Sequence, residues 1–416
     1  MGKAKPFSIA KKEVWKAYKR IKANQGAAGV DGQTIDGFEK DLSNNLYKLW
    51  NRMSSGSYFP PAVRRVAIPK PDGGLRPLGI PTVADRVAQM VVKQHLEPEL
   101  EPYFHRDSYG YRPDKSAIDA VGTTRKRCWR YNWVIDLDIK GFFDNIDHDL
   151  LMLAVKKHIG CKWVLLYIQR WLKAPVQLQD GSSLTERNRG TPQGGVISPL
   201  LANLFLHYVF DKWMERKFPT IPFERYADDI ICHCVSEEQA KFVLGAIRNR
   251  MAECKLELHP EKTRVVYCKD DLRKGNYPHE KFDFLGFTFR PRLSMTKNGK
   301  PFVGFNPAVS SKAQKAMRQM IRGWNLNRRT NETIEDFALK YNPIIRGWIN
   351  YYGRFCKSAL YRVFYYLDGV LSRWAKRKYK RMKGRQRRAI HWVKRVIVRQ
   401  PYLFVHWRFV YAWARR

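Results

Sequence analysis

No two cysteines in this chain have the Cys-x-x-Cys spacing of a zinc ribbon or a redox motif. The seven that exist are scattered at 128, 161, 232, 234, 254, 268 and 356. An odd, scattered set argues for reduced thiols in a cytosolic protein and against a structural zinc site or a disulfide framework. Long apolar runs are missing too. A spanning helix needs roughly 18 residues, and the best stretch, 402–414, is interrupted by His406 and Arg408. Lys3, Lys5, Lys11 and Lys12 lead into no apolar core, so no signal peptide is expected. Repeats and low-complexity segments are absent. Acid is scarce: 38 Asp and Glu stand against 77 Lys and Arg in 416 residues, a net charge of +39. Such an excess implies a polyanionic partner; a membrane surface is the competing reading, and the lack of a spanning apolar run weighs against it.

What is present is enough for two or three domains, with 44% hydrophobic residues to build cores. Helical spacing marks 8–24, 36–54, 82–101, 147–158, 162–173, 196–217 and 236–255. Strands are expected at Val63–Pro69, at Arg76–Ile80 returning from a tight turn, at Trp133–Ile139 and at Phe282–Phe289. From 308 onward the pattern is helical and basic, with Trp324, Trp348, Trp374 and Trp392. Residues 306–416 hold 27 Lys or Arg and only 4 Asp or Glu. Mixed strands and helices without strict alternation predict an α+β core followed by an α-helical basic domain.

The acids cluster in two places. Tyr226-Ala227-Asp228-Asp229 lies between apolar residues and reads as a hairpin with both carboxylates at its tip. Read alone, it also fits a solvated turn. Asp136-Leu137-Asp138 ends a strand, with 136 and 138 on one face. Three carboxylates on rigid backbone suit divalent cations that clamp an in-line phosphoryl displacement. Arg189–Gly195 (Arg-Gly-Thr-Pro-Gln-Gly-Gly) lets backbone approach a ligand closely and offers the Gln193 amide. Lys70 and Arg76, at the turn and return of the 63–80 hairpin, could grip a triphosphate.

In order and spacing these pieces resemble a reverse transcriptase, specifically a bacterial group II intron-encoded reverse transcriptase/maturase of the endonuclease-lacking type. The matching segments are Asn24–Gly32, Ile68–Pro81, Ser108–Pro113, Asp138–Asp144, Arg189–Pro199, Tyr226–Asp229, Leu256–Thr263, Phe284–Phe287 and Gly347–Gly353. The resemblance implies a right-hand polymerase, fingers and palm with an antiparallel palm sheet, followed by an α-helical thumb/maturase domain. Its expected divisions are an N-terminal extension (1–60), fingers and palm (61–305), thumb/maturase (306–385) and a basic DNA-binding tail (386–416). It implies that Asp138, Asp228 and Asp229 bind metal and catalyse, with the Ile139 carbonyl completing the shell. Lys70 and Arg76 would hold the triphosphate, Phe143 would gate the ribose 2′-hydroxyl, and Gln193 and Gly194 would line the nucleotide pocket. Lys262 would lie near the palm floor, and Phe284–Gly286 would form the primer grip. The basic quarter would bind RNA through phosphates and by stacking on aromatic planes.

The expected activity is RNA-directed DNA polymerisation with Mg²⁺, or Mn²⁺ in its place, together with support of intron splicing and retrohoming. Expected partners are group II intron RNA or another RNA template, a DNA primer or target and deoxynucleoside triphosphates, with no membrane, in the bacterial cytoplasm or nucleoid. No endonuclease domain is expected. Two other readings stay open: an intron-free reverse transcriptase serving defence or repair, and an RNA-binding maturase with weak polymerase activity.

Overall fold

The structure is a computed structural model and describes residues 5–69, 74–178, 184–296 and 298–411. The chain forms two compact units. One comprises Met1–Ala120 and Trp133–Val265; the other comprises Val121–Asn132 and Val266–Arg416. This division differs from the linear order expected from sequence, because twelve residues from the middle of the first stretch belong with the C-terminal half.

In the first unit, Trp133–Leu137 pairs antiparallel with Asp229–Cys234, which pairs antiparallel with Phe223–Tyr226. Val134, Ile135, Ile230, Ile231 and Cys232 are buried, so this sheet is covered and rigid. Helix Ser198–Leu206 buries its apolar residues in the same unit, and Glu237–Glu253 buries Ala240, Val243, Ile247 and Met251 there. The Val63–Pro69 strand pairs antiparallel with Leu75–Ile80, in the register Ile68↔Arg76. The helix expected at 36–54 is two helices, Ile35–Glu39 and Leu42–Ser55. Asp41 breaks the run by leaving helical geometry, at φ −130 and ψ 48.

In the second unit, the strand expected at Phe282–Phe289 is instead a hairpin. Phe282–Phe284 turns through Leu285 (φ 50) and Gly286 (φ 80) into Phe287–Met295, which pairs with Pro301–Val309. Two successive positive φ values make a turn whose twist matches the flanking strands. Phe287 then packs against Tyr351, Tyr352 and Phe355.

The rest of this unit is helical: Ser311–Gly323, Ile334–Tyr352, Tyr361–Lys378, Gln386–Arg399 and Val405–Val410. Thr333 and Asp336 form a capping box at the second of these. The expected tail at 386–416 is folded in its described part. Val393, Ile397, Phe404 and Trp407 enter the same core as Phe337, Leu367 and Trp374. Asp368 secures the final turn by accepting from His406, Trp407 and Tyr411. Two of the four tryptophans differ from the stacking planes expected. Trp374 is fully buried and Trp324 lies stacked on Tyr341 inside the core.

Candidate active site

Tyr226 and Asp229 face each other across the hairpin, so Ala227 and Asp228 form the turn. Ala227 adopts φ +57. A non-glycine residue in that region is strained, by about 1 kcal/mol or more, and persists only where its surroundings fix it. On the neighbouring strand Leu137 pairs with Ile230, so Asp138, one residue on, comes level with Asp229. All three carboxylates therefore gather at one end of the sheet, as the sequence predicts.

Their electrostatics agree. Burial first, then the Asp138 carboxylate, pushes Asp228 above the ordinary carboxylate range. Burial, then Asp228 and Asp138, pushes Asp229 up to about 7, with Lys262 and Arg76 opposing. Asp229 is exposed at the surface, where the two neighbouring carboxylates repel it. Lys262 Nζ stands 3.0 Å from Asp138 Oδ2. The Asp138 carbonyl accepts from the His259 amide at 2.7 Å, and the Lys140 amide donates to the Glu257 carbonyl at 2.9 Å. These two bonds bracket the Ile139↔Leu258 bridge, so the Ile139 carbonyl lies outside that pairing.

The donor set is all hard oxygen, which suits a divalent cation of the Mg²⁺ or Mn²⁺ kind, and the repulsion among the acids is the charge that such an ion would relieve. Among the described residues, the side chains do not converge closely enough for three of them to grasp an ion as they stand.

The backbone around Phe143, Gln193 and Gly194 is tied down by hydrogen bonds. The Thr191 amide donates to the Phe143 carbonyl and the Gly190 amide to the Ile146 carbonyl, each at 2.7 Å. Phe143 itself is half-buried, with its ring edge-on to Phe142. The Gln193 carbonyl accepts from the Gly79 amide at 2.7 Å. Gly194 has φ +116, and a Cβ there would lie 2.6 Å from the Gly79 carbonyl oxygen, so only glycine fits. The glycine-rich loop is thus fastened both to the segment after Asp138 and to the 63–80 hairpin. Arg76 is exposed, and its charge acts on Asp228, Asp229 and Tyr111. Lys70 lies outside the described residues. Phe284–Gly286 belongs to the second unit, where the Leu285 carbonyl accepts from the Tyr351 hydroxyl.

Sequence reasoning missed Arg225, Asp211 and Asn203, which stand buried beside the acidic turn. One signal was available: Arg225 is a charge inside a strand that is otherwise covered. In the second unit, a cavity of about 1270 Å³ is lined by Lys380, Arg381, Arg388, Lys394, Arg395 and Arg399 and, among the described residues, by no carboxylate.

Comparison with known proteins finds two family models that match this chain. Residues 68–289 match the family model described as reverse transcriptase (RNA-dependent DNA polymerase), and residues 314–392 match the group II intron, maturase-specific domain. The chain is 31% identical to Protein YkfC of Escherichia coli over 283 residues, which cover 58% of this chain and 73% of that protein. It is 29% identical to the group II intron-encoded protein LtrA of Lactococcus lactis over 359 residues, covering 68% of this chain and 56% of that one. A solved structure of telomerase from Candida albicans, with a fragment of telomeric RNA, matches at 12% identity and a TM-score of 0.48, covering 92% of this chain and 69% of that one.

Proposed function

Because this chain belongs to the reverse transcriptase (RNA-dependent DNA polymerase) family and carries a group II intron maturase-specific domain, we propose that it copies RNA into cDNA and assists the splicing and retrohoming of a group II intron. The observation that carries the polymerase reading is the gathering of Asp138, Asp228 and Asp229 at one sheet end.

Reverse transcriptases generally use divalent metal ions; Mg²⁺, with Mn²⁺ as substitute, is the ion assigned here. Asp138, Asp228, Asp229 and the Ile139 carbonyl would hold it. Bound there, it supplies charge neutralisation for an in-line phosphoryl displacement. The protein does the rest by positioning. Arg76, with Lys70, holds the incoming triphosphate. Phe143 closes on the sugar, and the fastened Gln193–Gly194 backbone shapes the nucleotide pocket. The basic cavity and the exposed cations of Ser311–Gly323 support an RNA-binding role for the second unit.

Primer extension on an RNA template tests the polymerase reading. Asp228→Ala and Asp138→Ala should each abolish extension while template–primer affinity holds. Near-normal extension by Asp228→Ala would overturn the site. Splicing tests the second role, because splicing chemistry belongs to the RNA and the protein holds its fold. Asp228→Ala/Asp229→Ala should accelerate splicing of the surrounding intron as wild type does, and Lys315→Glu/Arg318→Glu/Arg322→Glu should not. If wild type gives no acceleration, the intron-free reading takes its place.

A further inference from the structure

Arg225 is fully buried, and so is its partner Asp211. Fully buried charges are rare and call for a reason. The Arg225 Nε and Nη2 groups donate to the two oxygens of Asp211 at 2.8 and 2.6 Å. Nη1 is left over, and it donates to Asn203 Oδ1 at 2.9 Å and to the Ala227 carbonyl at 3.2 Å. Asn203 Nδ2 donates in turn to the Gly110 carbonyl at 2.6 Å. One guanidinium thus joins the helix that carries Asn203 and Asp211 to the strained residue of the diacid turn.

The helix is shaped for this. Its 207–211 segment is a π turn. At about 100° per residue, positions eight apart on a regular α-helix diverge by about 80°. A π turn absorbs one residue and brings that to about 20°. Asn203 and Asp211 therefore share a face, and both reach Arg225. The backbone adds a second hold. The Tyr109 amide donates to the Arg225 carbonyl at 2.8 Å, and the Arg225 amide to the Asp107 carbonyl at 3.0 Å. A Cβ on Gly110 would lie 2.4 Å from the Ala227 nitrogen, so the turn rests directly on the Gly110 backbone.

We propose that Arg225 is a positioning residue for the acidic turn: through Asp211 and Asn203 it fixes the Ala227 carbonyl, and with it the direction of the Asp228 and Asp229 carboxylates. The claim rests on the assignment of those acids as catalytic. Arginine is required, because a lysine ammonium is a single point and cannot span a carboxylate, an amide and a carbonyl in one plane. Nothing covalent is asked of Arg225, and it need not touch substrate.

The test compares the full chain with Asn203→Ala, Gly110→Ala and the apolar pair Asp211→Leu/Arg225→Met. Replacing both members of a buried ion pair often preserves stability, whereas removing one strands the other. Misplacing a catalytic group by an ångström can cost about 100-fold. The apolar pair should therefore melt near wild type but show a kcat for single-nucleotide extension lower by about 100-fold, with KM for the nucleotide and affinity for template–primer unchanged. Amide exchange across 225–230 should quicken in the same variant. Asn203→Ala and Gly110→Ala should lower kcat in the same selective way. Normal kcat and unchanged exchange in a folded apolar pair would show Arg225 to be core packing alone. If wild type fails to extend but exchange at the turn still quickens, the polymerase reading falls and the positioning role stands.

Discussion

The ammonium of Lys262 and the carboxylate of Asp138 form an ion pair at 3.0 Å, with both side chains partly open to solvent. Such a pair adds less than about 1 kcal/mol to stability; its more important effect is competition. A cation seeking Asp138 must displace the lysine. Lys262→Ala should lower the half-saturating Mg²⁺ concentration for primer extension by up to about five-fold. A rise in that concentration would instead point to a contact between Lys262 and the nucleotide.

Phe143 is anchored through its carbonyl rather than its ring, so the ring can change without loosening the Thr191 loop. Phe143→Ala should raise ribonucleotide incorporation relative to deoxynucleotide incorporation, measured as the ratio of kcat/KM in single-nucleotide extension. An unchanged ratio would leave the ring as packing against Phe142.

The basic cavity of the second unit should be visible in salt dependence. Each phosphate contact on a single strand contributes roughly 0.7 to the log–log slope. Arg381→Gln/Arg388→Gln/Lys394→Gln/Arg395→Gln should flatten the slope of RNA binding by about 3, if all four side chains meet phosphate. Filter binding across a salt series measures it directly, and a slope equal to wild type would clear the cavity of any phosphate role.

Asp211 makes acid stability informative. Burial pushes its carboxyl up, but the Arg225 guanidinium and the neighbouring His207 together outweigh that and hold it at about 2, below the usual 3.8. A folded value below the unfolded one means that the ionised group contributes stability above about pH 4 and loses it as the pH falls through about 2. The difference corresponds to roughly 2 kcal/mol. Denaturant unfolding at pH 5 and pH 2 should show wild type losing about that much more than Asp211→Leu/Arg225→Met. Parallel losses in the two proteins would contradict the ionised pair.

Legibility followed the range of the interactions. Tyr226–Asp229 was readable because apolar residues flank it on both sides, and Asp138 because it ends a short β-branched run. The Leu285–Gly286 turn was hidden inside an aromatic stretch, since leucine at positive φ has no local signal. The charge of Gln386–Arg399 set it apart as a tail, although Ala389, Val393, Val396 and Ile397 mark the helical face that enters the core. Asp211 was invisible for a different reason. Its meaning depends on a π turn that rotates it toward a strand fourteen residues away.

The interleaved chain path has a consequence for synthesis. Val121, Thr124 and Cys128 end fully buried in the unit completed by residues 266 onward. Arg125 bonds Asn306, the Trp129 indole bonds the Phe305 carbonyl, and the Asn132 carbonyl takes the Cys268 amide. A ribosome delivers Val121–Asn132 long before any of those partners. That segment must wait through well over a hundred further residues, its apolar side chains without their final partners until then.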